Sequence, residues 1–107
     1  MEDFLSPEAI LNNLEISENM TAVEFGCGAG IFVIALAKRI KQGRVYGLDV
    51  QEEKLSVLKS KALVEKLINI ITIHCDLEAK DGSTLARDSA DIVLIPNVLF
   101  QAEDKYA

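Results

Sequence analysis

What this sequence lacks narrows its chemistry first. It has one histidine, His74, and two cysteines, Cys27 and Cys75, with no Cys-x-x-Cys spacing. A zinc site needs a richer set of nitrogen and sulfur ligands, so no metal is expected. Isolated cysteines do not build a disulfide framework either, and they suit reduced thiols in the cytoplasm. Basic residues are outnumbered: 11 Lys and Arg stand against 17 Asp and Glu, for a formal net charge of −6. Nonspecific attraction to nucleic acid or to an anionic membrane surface is therefore not expected. No apolar run approaches the length a bilayer demands. The opening Met1-Glu2-Asp3-Phe4 is acidic where a signal peptide would be basic and then apolar. Internal repeats and low-complexity segments are also missing. What remains is ordinary for one small domain with a modest core: 107 residues, 50% hydrophobic and 26% charged.

The informative stretch is Val23-Glu24-Phe25-Gly26-Cys27-Gly28-Ala29-Gly30. A short apolar run, Ala22 to Phe25, reads as a buried strand, and a helix is predicted from about Ile31 to Ile40. Between them, glycines at alternate positions let the backbone take positive φ and approach a ligand with no Cβ in the way. The free N–H groups of the following helix point at the same spot. Such a turn binds nucleotides, and two kinds compete. The dinucleotide fingerprint is G-x-G-x-x-G. Here the third glycine comes one residue early, and bulky Ile31 follows it. Glu24 at the strand end would repel a pyrophosphate and would attract a ligand ammonium.

The chain in order alternates helix and strand. Ser6-Pro7-Glu8 is a helix start, with a capping hydroxyl, a first-turn proline and an acid at the positive pole. Arg44 to Asp49 is a second strand with Gly47 inside it, where another backbone or a ligand comes close. Gln51 to Lys66 is predicted helical, with Leu55, Leu58 and Ala62 on one face and the solvated pair Glu52-Glu53 in its first turn. Asn69 to Cys75 is a third strand, and Asp91 to Ile95 a fourth, ended by Pro96-Asn97. Val98 to Lys105 reads as the entry to a further helix. Alternation of this kind means a parallel sheet with helices on both faces, a Rossmann-like doubly wound α/β fold of three layers. Ligands bind such sheets beyond the carboxyl ends of the strands, which places Glu24 to Gly30, Asp49, Asp76 and Asn97 along one rim.

Four rim segments together resemble class I S-adenosylmethionine (SAM) dependent methyltransferases. Val23 to Gly30 matches their first motif, Val45 to Val50 the second, Cys75-Asp76-Leu77 the third and Ala90 to Asn97 the fourth. The resemblance covers about Met20 to Lys105 and leans toward the small-molecule, menaquinone-type branch. It implies methyl transfer from SAM, with S-adenosylhomocysteine as product and no metal. It places Glu24, Gly26, Cys27, Gly28, Gly30, Asp49, Val50, Asp76, Leu77 and Asn97 at the cofactor. Asp49 would hold the ribose diol, Asp76 and Leu77 the adenine, and Glu24 the methionine ammonium. No catalytic residue is assigned.

The resemblance has two gaps. The family sheet runs 3-2-1-4-5-7-6, whereas residues 1–107 supply an N-terminal helical segment (1–19) and a core with order 3-2-1-4. The fourth strand would then be an open apolar edge, and a homodimer is expected along Asp91 to Ile95 or by C-terminal exchange. Ile95-Pro96-Asn97-Val98 is also unlike the motif of enzymes that methylate exocyclic amines of nucleobases. Two rival functions stay open, a SAM-binding half-domain without turnover and an NAD- or FAD-binding Rossmann protein. Plainer roles stay open for single residues: Asp49 as a helix cap, Glu24 bonding loop amides, Cys27 as a small packing residue and His74 as a structural one.

Overall fold

The computed structural model describes residues 6–74, 90–95 and 98–101. Ser6 starts the first helix, α1 (Pro7–Leu11): its hydroxyl accepts the Ala9 N–H at 3.1 Å, and Pro7 occupies the first turn. Strand β1 (Thr21–Phe25) follows and runs into the glycine loop. Helix α2 (Ile31–Arg39) ends in Lys38 and Arg39, which suit its negative pole. Arg39 also donates to the Asn12 Oδ1 at 2.9 Å and ties α1 to α2. The last carbonyls of α2 are taken up by the Asn69 side-chain amide, which donates to Ala37 O at 3.0 Å and to Ile40 O. Strand β2 (Arg44–Asp49), helix α3 (Glu52–Val64) and strand β3 (Ile70–His74) complete the first half. Strands β4 (Ile92–Ile95) and β5 (Val98–Gln101) complete the described chain.

The sheet order is β3-β2-β1-β4-β5. The first four strands are parallel, as the alternating pattern implies, and stand in the order 3-2-1-4 that the family resemblance implies. Strand period puts Ala22 and Glu24 on one face and Val23 and Phe25 on the other. The first face carries the main core. Ala22, Val45, Ile92 and Leu94 pack there against Leu11 of α1, Val33, Leu36 and Ile40 at α2, and Leu55 and Leu58 of α3. The second face holds Val23, Phe25, Leu48 and Ala90, with Tyr46, Ile73 and Val93 against them. At the amino ends of the strands Asp91 clamps β1 and β4: it accepts the Thr21 N–H at 2.9 Å, and its own N–H donates to Thr21 O at 2.7 Å.

The structure corrects the reading of the last segment. Val98 to Gln101 is a strand, not the start of a helix, and it pairs antiparallel with β4, Ile95 against Val98 and Ile92 against Gln101. The physical reason lies in the sequence around it. Only residues 96 and 97 separate the paired positions, and a Pro-Asn pair favours a turn. Val98, Leu99 and Phe100 then have the β-branched and aromatic character of a strand. The open edge expected on β4 is therefore filled, and dimerisation along Asp91 to Ile95 loses its basis.

Candidate functional site

The glycine loop leaves β1 at the carboxyl edge of the sheet and is tied down bond by bond. The Cys27 N–H donates to Leu48 O at 3.0 Å, extending the β1–β2 ladder past the strand. The Gly30 N–H then donates to Cys27 O at 3.0 Å and closes a tight turn, and the Ile34 N–H donates to Gly30 O at 2.9 Å as α2 begins. Gly26, Gly28 and Gly30 have φ of 65°, 56° and 88°, all left-handed. Two of them have separate reasons to be glycine. At Gly28 a Cβ would meet open space, with nothing nearer than Lys54 Cδ at 3.9 Å. At Gly30 a Cβ would run into the side chain of Leu58. Gly28 thus leaves the loop backbone bare, whereas Gly30 lets α3 close on the loop.

Asp49 ends β2 beside this loop and is buried, at 7% exposure. Its Oδ2 accepts the Gly28 N–H at 2.8 Å, and its Oδ1 accepts the Gln51 N–H at 2.8 Å. One carboxylate therefore holds the loop and the approach to α3 together, through bonds of the stronger, charge-assisted kind. Each oxygen keeps a further lone pair for a hydroxyl donor.

Glu24 lies one strand away, with Gly47 and Leu94 as its register partners. Gly30 has no side chain with which to cap α2, and Glu24 does part of that work by accepting the backbone N–H of Val33. Its Oε1 is buried and meets no partner. Burial pushes the Glu24 carboxyl up to about 8, the nearby Asp49 charge adds to this, and the Val33 amide works against it. Burial likewise pushes the Cys27 thiol up to about 12, with Glu24 and Asp49 contributing. Such a thiol stays protonated and inert at neutral pH, so Cys27 acts as a small packing residue. It packs where Gly47 leaves room, 3.0 Å from the position of a Cβ there.

Comparison with known proteins decides the family. The family described as "Methyltransferase domain" matches residues 16–107. The chain belongs to the class I SAM-dependent methyltransferases. It is 32% identical over 66 residues to a demethylmenaquinone methyltransferase of Geobacillus stearothermophilus, covering 61% of this chain and 28% of that protein. It is 26% identical over 87 residues to an rRNA N(6)-adenosine-methyltransferase of Danio rerio, covering 81% of this chain and 41% of that protein. Among solved structures, a SAM dependent methyltransferase from Aquifex aeolicus superposes with a TM-score of 0.59 at 32% identity, over 65% of this chain and 38% of the other. The chain thus spans well under half the length of the curated relatives it matches.

Within this methyltransferase domain the predicted residues Glu24, Gly26, Cys27, Gly28, Gly30 and Asp49 meet at the carboxyl edge of β1 and β2, with Val50 next, 49% exposed. Asp76, Leu77 and Asn97 lie outside the described residues. His74 sits at the end of β3, its Nε2 2.9 Å from Val50 O, a contact that steadies the turn after β2. Two supports of the loop escaped the sequence reading. Leu58 was placed only on the core face of its helix, yet it is the side chain over Gly30. The Val33 donor is a backbone amide, which no residue type announces.

Proposed function

We propose that this chain holds SAM at the carboxyl edge of its sheet and serves as the cofactor-binding part of a methyltransferase. The observation that carries the reading is the Asp49 carboxylate, fastened at both oxygens to backbone around a bare glycine loop. The donor set suits the ligand. SAM offers a ribose diol, an ammonium and a sulfonium, and each of these seeks an oxygen acceptor or an anion. Asp49 has lone pairs left for the diol, and Glu24, half-buried beside the loop with its Oε1 unpartnered, has acceptor capacity left for the ammonium. A pyrophosphate would meet two carboxyl groups at this edge, which disfavours NAD and FAD.

When bound, SAM supplies a methyl group on a positively charged sulfur, open to in-line displacement. This chain's residues hold and orient the donor. Asp49 takes the ribose, Glu24 the amino group, and Gly28 lets the backbone approach. Exposed Ile31 and Val50, 64% and 49% accessible, offer apolar surface on either side of the loop. Asp76 and Leu77 at the adenine, and Asn97 near the methyl group, belong to this reading by family resemblance.

The acceptor in this reading is a small molecule, supported by the Geobacillus relative and by the net charge of −6. The rRNA activity in the name of the zebrafish relative makes RNA the other arm of an acceptor screen. A reduced, cytoplasmic setting is part of the proposal, supported by the buried Cys27 thiol. No described helix is long and apolar enough to cross a membrane. A homodimer remains in it only through exchange of a C-terminal segment, and a clean monomer by light scattering at micromolar concentration would remove it. Calorimetry with SAM and with NAD tests the core of the proposal. SAM should bind and NAD should not, and the reverse result overturns the reading.

A further inference from the structure

Two carboxyl groups share one corner of this site and are provided for unequally. Asp49 accepts backbone N–H groups at both oxygens. Glu24 accepts one amide, from Val33, and its Oε1 is sealed from solvent with no donor. An ionised oxygen left that way is costly, and a proton removes the cost. Glu24 as a whole is half-buried, and among the described residues no cation pairs with it. Strand β2 brings Asp49 and the side-chain-free Gly47, and β4 brings Leu94. The loop brings the Cys27 thiol, which burial keeps protonated. Helix α2 faces Glu24 with the Val33 amide and an apolar turn, and α3 brings Lys54, whose stem passes the Gly28 position and which is not among the groups that shift Glu24.

We propose that SAM binding to this chain is proton-linked: Glu24 is neutral in the free protein and releases one proton to solvent as the ligand ammonium docks. The inference rests on the SAM reading above. The balance is simple: a carboxylic acid plus a cation becomes a carboxylate–cation pair plus one solvent proton, with no covalent change. The carboxyl value of about 8 means that the proton is present at pH 6 to 7, where the release is read.

The test is calorimetry of SAM binding to the full chain at pH 6.5 in buffers of different ionisation heat. The observed enthalpy should vary with that heat with a slope near one proton released, and affinity should rise about tenfold from pH 6 to pH 7. In Glu24→Gln binding should weaken, since the ammonium loses its charged partner, and the slope of the binding that remains should fall to about zero. A slope of zero in the wild type, or a slope that survives in Glu24→Gln, overturns the proton linkage and leaves SAM binding standing. Absence of SAM binding at every pH overturns the SAM reading itself, and the linkage with it. If the variant does not fold, carbon-13 carboxyl titration of the wild type decides. The Glu24 signal should titrate near pH 8 without SAM and well below it with SAM, and an unmoved midpoint overturns the proposal.

Discussion

Asp49 Oδ2 accepts the Gly28 N–H at 2.8 Å, so the acid ending β2 holds the loop that follows β1. Because the other oxygen accepts the Gln51 N–H, the carboxylate is a structural brace as well as a proposed ribose ligand. Asp49→Ala should then cost fold stability too, contrary to a purely ligand-binding role. Asp49→Asn keeps the volume but offers one acceptor oxygen in place of two. We expect it to lower stability by about 1–3 kcal/mol, since a buried amide loses its partner. SAM affinity should fall by at least about tenfold, the loss of a single such interaction. Urea unfolding and calorimetry check the two effects separately, and an unchanged affinity would remove the ribose assignment.

Gly28 and Gly30 should respond differently to alanine. Gly30→Ala combines a left-handed φ of 88° with a collision against Leu58, and should destabilise the fold by about 2–4 kcal/mol. Adding Leu58→Ala should recover part of the collision term, a coupling readable in a double-mutant cycle. Gly28→Ala has space around it, so its stability loss should be about 1–2 kcal/mol from φ alone. Its larger effect should be on SAM affinity. Equal losses of stability in the two variants would contradict this division.

Stability should depend on pH through Glu24. The folded carboxyl sits at about 8 against an ordinary value of 4.5. Between these values the folded chain keeps a proton that the unfolded chain has released. This contribution is therefore present in full below pH 4.5, declines as pH rises through the window and is gone above about 8. In Glu24→Gln, whose side-chain carbonyl can still accept the Val33 amide, that decline should be absent. Urea midpoints for both proteins from pH 5 to 9 would reveal it, and parallel curves would count against a protonated Glu24.

Strand β5 covers an edge of β4 that would otherwise be open, along a ladder from Ile92–Gln101 to Ile95–Val98. A chain ending at Ile95 should expose those backbone groups and associate. Light scattering should show dimers or larger species of the shortened chain, at concentrations where the full chain scatters less. Equal scattering would mean that the edge is protected in another way.

The legible parts of this protein are those written in local pattern. Ser6-Pro7 announced α1, and the hydrophobic spacing of Leu55, Leu58 and Ala62 announced α3. Alternate glycines after a short apolar run announced the loop, alternation of strand and helix implied a parallel sheet, and the family resemblance implied its order 3-2-1-4. The segment Val98 to Gln101 was misread because a short apolar run fits a helix or a strand equally, and pairing with β4 settled it.

By itself, then, the amino-acid sequence determined that Glu24 to Gly30 and Asp49 reach the carboxyl edge of the sheet, since strand period and chain order need only neighbours along the chain. Only the tertiary structure decided how two acids at that edge differ. Asp49 meets amides from two segments, and the Glu24 Oε1 meets none, because burial and hydrogen-bond supply arise from elements far apart in sequence. A carboxyl group's charge follows from those surroundings, and no residue type carries them in its name.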